Sequence, residues 1–367
     1  MRSFDTASRT AGKTALVWIA LVALSLASWA QTDAIARTAS GRPDLSGTYD
    51  AATLTPLARP AEFGDRLTLT DEEADAIARR KAEIYAADLA PSDPDREAPP
   101  VGGIPIFDPA IERASGGSGG YNGFYMDKGE LSTKIDGKWR TSILVEPENG
   151  RLPDMTPEAL ARLAERAAFG QPNTGTAWWI DDEWGPYDDI EMRPAAERCL
   201  LGFTGATPTF PALYNNYKQI VQTDDYVMIL IEMNHDSRIV RLNSEHPPAH
   251  IKRWLGDSIG WWEGDTLVVE STNFRSFTQG RGGSENMKVT ERFTKQANGE
   301  VLYRFTVDDP AVWTAPWTGE YIWRTTGESV YEYACHEGNY AMGNVMRGAR
   351  LLEQEALSKR GTGSGDE

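Results

Sequence analysis

Thiols and imidazoles are scarce in this chain: two cysteines and four histidines among 367 residues. The cysteines, Cys199 and Cys335, lack the paired spacing that a structural zinc site requires. Basic side chains are also in short supply, with 37 Lys and Arg against 54 Asp and Glu and a formal charge of −17. Such an acidic surface repels nucleic acid and anionic lipid, so neither is an expected partner. No nucleophile elbow, phosphate loop, dinucleotide fingerprint or haem motif is present. Gly280-Arg281-Gly282-Gly283 lacks the strand-to-helix setting such a loop needs. No cofactor is therefore expected. No internal repeat of fixed period is found either.

One apolar run stands at the N-terminus. Arg2, Arg9 and Lys13 precede the stretch Thr14 to Ala27, and Ser28-Trp29-Ala30 places small residues where signal peptidase needs them. Residues 1–30 read as a signal peptide with Gln31 as the first mature residue. The run is too short, and too soon followed by polar chain, to favour a membrane anchor, although an uncleaved anchor is the alternative. No cysteine follows it to carry a lipid. Loss of three basic groups and one acidic group with the leader moves the formal charge from −17 to −19. A periplasmic or secreted location follows, without stable membrane insertion. In such a compartment Cys199 and Cys335 are expected to form a disulfide, two buried free thiols being the alternative. It would close a loop of 136 residues (335 minus 199), for which chain entropy predicts about 4–5 kcal/mol.

Along the mature chain, residues 31–42 read as a polar linker, and Pro43 to Tyr49 as a turn entering a strand. Thr70 to Leu89 is a helix, with Thr70 and Glu73 as a capping box. Pro91 to Gly120, dense in Pro, Gly and Ser, reads as an extended connection. Strands are expected at Gly123–Met126, Leu131–Ile135 and Trp139–Val145, with Asp136-Gly137 as a two-residue hairpin turn. Thr156 caps a second helix ending before Gly170. From Lys218 the pattern is antiparallel β, with strands at Asp257–Trp262, Thr266–Thr272, Met287–Thr294, Val301–Val307, Gly319–Thr325 and Ser329–Cys335. Turns are expected at Asp224-Asp225, Glu263-Gly264, Asn298-Gly299 and Thr326-Gly327. Gly343 to Leu357 reads as a closing helix and Ser358 to Glu367 as disordered. The fold class is mainly β: an antiparallel, lipocalin-like barrel or a sandwich, with helical insertions. Residues 43–350 read as one elaborated β domain, with a helical and loop insertion at about 70–210 and a tail at 351–367. Two independent domains are the runner-up.

The run Gln219 to Leu242 organises the candidate site. Alternation places Val227, Ile229, Ile231, Met233 and His235 on one strand face, and Met228, Leu230, Glu232, Asn234 and Asp236 on the other. An apolar face that ends in imidazole reads as a pocket wall, with His235 as a proton acceptor. A histidine hydrogen-bonded at a strand end is the bland alternative. Asp236 neighbours His235 in sequence but lies on the opposite face. Glu232 interrupts the second apolar face. An arginine partner (Arg238, Arg241 or Arg292) would make it structural, and an unpaired carboxyl would make it catalytic. After Cys335, the turn His336-Glu337-Gly338-Asn339 would present an acid–base pair at a rim, or simply pin the turn. His246 and His250 flank Pro247-Pro248 and read as loop histidines. A metal site combining them with His235 and Asp236 has no support from spacing. Trp178 and Trp179, set among acids, read as a lid or an aromatic platform for a substrate. Trp262, Trp317 and Asn339 are further candidate substrate contacts.

Long ordered stretches carry a resemblance. They include PDLSGTY at 43–49, RTSILVEPENGRLP at 140–153, AERCL at 197–201 and the 216–243 segment. GDSIGWWEGDTLVVESTNF at 256–274, SENMKVTERFT at 284–294, FTVDDPAVWTAPWT at 305–318 and YEYACHEGNYAMGNVMRGAR at 331–350 extend it. From about Pro43 to Arg350 the chain resembles a large uncharacterised family of exported bacterial β-rich proteins. The resemblance implies a barrel-like β fold and assigns no catalytic residues.

These features favour an exported acid–base enzyme (lyase, dehydratase, isomerase or hydrolase) acting on a small, partly apolar molecule. A non-catalytic binder of such a ligand, and a carbohydrate-active protein using the tryptophan-acid segment, are the alternatives.

Overall fold

The computed structural model describes residues 35–88, 95, 127, 129–169, 174–202, 205, 207–275 and 283–363. Nine strands close a mixed barrel: Gly47–Asp50 (β1), Tyr217–Gln222 (β6), Tyr226–Ile231 (β7), Ser237–Leu242 (β8), Asp257–Glu263 (β9), Thr266–Thr272 (β10), Lys288–Lys295 (β11), Val301–Asp308 (β12) and Trp317–Thr326 (β13). Closure comes from β1, which pairs with β6 on one side and β13 on the other. The tenth strand of the sheet, Leu144–Glu146 (β5), pairs with the start of β13 across an irregularity at Thr318/Gly319. A smaller sheet of Thr68–Leu69 (β2), Lys138–Arg140 (β4) and Lys134–Ile135 (β3) packs on β13.

The barrel follows from period-two alternation. In β12, Val301, Tyr303, Phe305 and Val307 are fully buried, while the residues between them are partly exposed. The same inward face carries Phe293 on β11 and Trp317, Tyr321 and Trp323 on β13. Tyr303 and Trp323 lie 4.8 Å apart by ring centroid, and Phe293 and Tyr303 5.1 Å. Gly319 has to be glycine, because a Cβ there would run into the Phe305 ring. The barrel interior is therefore filled by aromatic side chains, as small barrels commonly are, and among the described residues it leaves no pocket along the Val227–Met233 face. Segment 207–211 closes one end, with Thr209 N–H donating to Tyr303 Oη at 3.1 Å and Tyr321 Oη donating to the Thr209 carbonyl at 3.0 Å. Phe210 packs edge-on to Phe305.

Local signals place the helices. Asp71–Asp88 (α1) begins with the expected capping box: Thr70 N–H donates to Glu73 Oε2 at 2.8 Å and Glu73 N–H to Thr70 Oγ1 at 3.2 Å. Pro157–Phe169 (α2) is capped by Thr156. Asp136 and Gly137 take positive φ and turn β3 into β4 as expected.

Several expectations need correction. The late strands are not all antiparallel: β8 and β9 run parallel, reached through the connection 243–256. The turn after β9 is Gly264-Asp265, one residue later than expected. Ser329–Cys335 is not a strand, and Thr326-Gly327 is not a hairpin turn. Both sides of β13 are already paired, to β12 and to β5 and β1, so no edge remains for another strand. The chain instead leaves the barrel for the short helix Cys335–Gly338 (α3) and the long Tyr340–Gly363 (α4), which extends beyond both ends of the expected closing helix and into the expected disordered tail. The leader, the strand at 123–126 and, apart from Asp95, the Pro91–Gly120 connection lie outside the described residues.

Candidate functional site

The site forms where β6 and β7 reach one end of the barrel. Val227, Ile229, Ile231 and Met233 are all buried, as alternation requires. The alternation stops there. Asn234 and His235 take positive φ (58° and 52°), and Ile231 N–H donates to the Asp236 carbonyl at 2.9 Å. This tight reversal into β8 swings His235 off the buried face and into solvent. Its Nε2 lies 3.1 Å from the Tyr331 carbonyl and 3.3 Å from Tyr333 N. The residue expected at a pocket wall instead pins the segment leading to the disulfide.

Glu232, the last residue before the turn, is 9 % exposed. None of the three arginines considered for it is its partner. Arg238 pairs with Glu291, Arg241 with Asp257 and Arg292 with Glu263. Glu232 Oε2 accepts the Tyr217 N–H at 3.2 Å, and its other oxygen has no hydrogen bond among the described residues. It lines an open pocket of about 590 Å³ together with Asp127, Tyr214, Asn215, Asn216, Tyr217 and Tyr333. Asp127 stands at the exposed rim, with Oδ1 accepting the Gly129 N–H at 3.0 Å. Partial loss of hydration, followed by repulsion from Asp50 and Glu130, raises its carboxyl above the usual range.

Lys218 backs the pocket. It is fully buried on the inward face of β6, and among the described residues its Nζ reaches only the Asn215 carbonyl, at 3.5 Å. Desolvation lowers its pKa to about 7, against the opposing attraction of Glu232, Asp50 and Asp236. Asp236 is itself raised, first by burial, while Gly202 N–H donates to it at 3.0 Å. Glu232 and Asp236 thus belong to the electrostatic surroundings of one buried lysine, although Glu232 is held by the Tyr217 N–H and Asp236 by the Gly202 N–H.

The remaining candidates lie elsewhere. The disulfide Cys199–Cys335 is formed, with Cα atoms 5.7 Å apart. His336 and Glu337 are exposed on α3 and line neither this pocket nor its neighbour. That neighbouring pocket, about 570 Å³, has the disulfide in its wall and shares Tyr333. Asn339 lines it, but its amide is committed: Nδ2 donates to the Glu197 carbonyl at 2.7 Å, and Oδ1 accepts Met342 N–H at the start of α4. Trp178 and Trp179 pack under α4 with Ala349, and Trp179 Nε1 donates to Glu353 at 2.7 Å. Trp317 is buried among the barrel aromatics, and Trp262 packs against that core beneath Arg42. Of the loop histidines, His246 Nδ1 bonds the buried Asp257 at 2.8 Å, while His250 is exposed. No metal-holding group of three or more His, Cys, Asp or Glu occurs among the described residues.

Lys218, Asp127 and Tyr217 were not anticipated. A lysine on the inward side of an alternating strand was a readable signal for the first. Asp127 sits beside a glycine-rich tract with no pattern to mark it. Among the described residues no helix is long and apolar enough to cross a membrane. No family model, curated protein or solved structure matches the chain.

Proposed function

We propose that this is an exported enzyme performing acid–base chemistry on a small, partly apolar molecule, in the pocket at the end of the barrel. Asp127 and Glu232 take the roles first considered for the histidines. One observation carries the reading. Each of these two pocket carboxylates has one oxygen held by a backbone N–H and a second without a hydrogen bond among the described residues. An anchored carboxylate with one oxygen free has the geometry of a positioned proton acceptor or donor. The raised carboxyl of Asp127 suits the acid, and Glu232 the base. Lys218 does not line the pocket and acts as a positioning charge behind it. Tyr214, Tyr217 and Tyr333 supply faces for the apolar part of the ligand. Export is supported by the leader-like N-terminus together with the disulfide.

A binder without turnover is the second reading. It is favoured by the exposure of His235 and His336, which removes imidazole from the pocket. Asp127→Asn and Glu232→Gln in a metabolite-turnover screen separate the two. Loss of turnover in both variants, with unfolding midpoints near that of the parent, is the expected result. A substrate consumed equally by the parent and both variants would refute the catalytic assignment.

A further inference from the structure

We infer that the pocket beside Glu232 selects an organic cation, a ligand whose ammonium group sits between carboxylates and tyrosine rings. The inference deepens the pocket reading above and rests on it. The first argument is charge. Glu232 and Asp127 line the cavity, and among the described residues no lysine or arginine does. Glu232 is nine-tenths buried and keeps one carboxylate oxygen without a hydrogen bond among the described residues. That oxygen is not closed off from solvent, so a cation brought by a ligand can reach it and pair with it.

Among the described residues, the nearby cations do not meet this need from the cavity side. Arg324 is committed to Asp50 at 2.6 Å and to the Ala52 carbonyl at 3.2 Å. Lys218 lies wholly behind the wall, its Nζ against the Asn215 carbonyl, and desolvation favours its neutral form. Desolvation is the first cause of the raised Asp127 carboxyl, and repulsion from Asp50 and Glu130 adds to it against the Gly129 N–H and the Arg324 charge.

The second argument is shape and surface. Three of the seven lining side chains are tyrosines, whose faces attract ammonium groups through the ring quadrupole. The remaining pair, Asn215 and Asn216, bring no charge. At a formal charge of −17 the whole chain also draws cations toward it. Carboxylates and aromatic faces, with no opposing base among the described residues, are the chemistry that recognises a substituted ammonium ion. An anion would be repelled by them, and a neutral molecule of the same shape would gain only the apolar contact with the tyrosine rings.

Calorimetric titration of the purified full chain with choline tests this, with 3,3-dimethyl-1-butanol as the neutral probe of the same shape. Choline is expected to bind, the neutral isostere about tenfold more weakly or worse, and choline affinity should fall as salt is added. Asp127→Asn and Glu232→Gln should each weaken choline binding about fivefold or more. Glu158→Gln, an equal charge change on the exposed surface of α2, should leave it unaltered. Equal affinity for the two probes, no choline binding at millimolar concentrations, or choline binding indifferent to both pocket variants would overturn the proposal. The turnover screen fails independently. Turnover lost in the pocket variants without choline preference removes only the cation class. Choline preference with turnover intact in both variants removes only the catalytic roles.

Discussion

The barrel interior and the pocket at its end bury the same kinds of group and treat them oppositely. In the interior, Arg238 and Glu291 form a two-pronged pair, with side chains 3 % and 0 % exposed. Tyr303 Oη donates to Glu291 at 2.7 Å, and Arg238 reaches Thr207 at 3.3 Å. Burial, then the Glu291 carboxylate, keeps the Tyr303 phenol far above its usual pKa and so a lasting donor. The carboxylate is fully engaged, and the network ties plug segment 207–211 to the strands. At the pocket, Lys218 and Glu232 are buried almost as deeply but lack such partners among the described residues. The difference shows where the fold has spent its polar groups on holding itself together. It also shows where groups remain available to a ligand.

Three measurements would break or sharpen this contrast. The largest effect is expected at Glu291→Gln, which strands the Arg238 charge in the interior and should cost about 3–5 kcal/mol in denaturant unfolding. Replacing both Arg238 and Glu291 by apolar residues of similar volume should cost far less, because no buried charge is left alone. Equal losses for the single and the double change would mean that the network does not work as a charge pair.

The next effect is a pH slope set by Lys218. Its folded pKa, about 7, lies below the ordinary lysine value of 10.5. Between those pH values the unfolded chain holds a proton that the folded chain does not, so stability should rise as pH increases through that window. Below about pH 7 both states are charged, and the full burial penalty applies. Lys218→Met should flatten the rise, as followed by denaturant midpoints at pH 6, 7.5 and 9. A parent protein whose stability is flat from pH 7 to 10 would contradict the buried, weakly held ammonium.

The smallest effect is expected at His235→Ala. Loss of its contacts with Tyr331 and Tyr333 should cost about 1 kcal/mol or less, since the site is open to solvent. Amide exchange at Tyr333 should quicken, with unfolding of the barrel core little changed. A total loss of turnover in that variant, with the fold intact, would return the histidine to the catalytic machinery.

Much of the scaffold was readable because its causes are local. The capping box at Thr70 and Glu73, the turn at Asp136-Gly137 and the alternation of Val301 to Val307 depend on residues within a few positions of one another. The site was harder to read. Glu232 was singled out because a carboxylate interrupts an apolar face, yet its meaning depended on which arginines had already found partners in other strands. His235 was misplaced by extending alternation two residues past the strand, where a reversal with two left-handed residues takes over. The disulfide was expected from composition and compartment, but its place in a pocket wall required coordinates.

Composition, charge and short-range pattern by themselves determined an acidic, β-rich chain with two capped helices and strands of known facing. They could do so because propensity, capping and pleat act between near neighbours. Closure of nine strands into a filled mixed barrel, the parallel β8–β9 pair and the gathering of Asp127, Glu232 and Lys218 at one end were decided only in three dimensions. The physical reason is that pairing partners, and the burial and hydration of a charge, depend on what the distant chain leaves open.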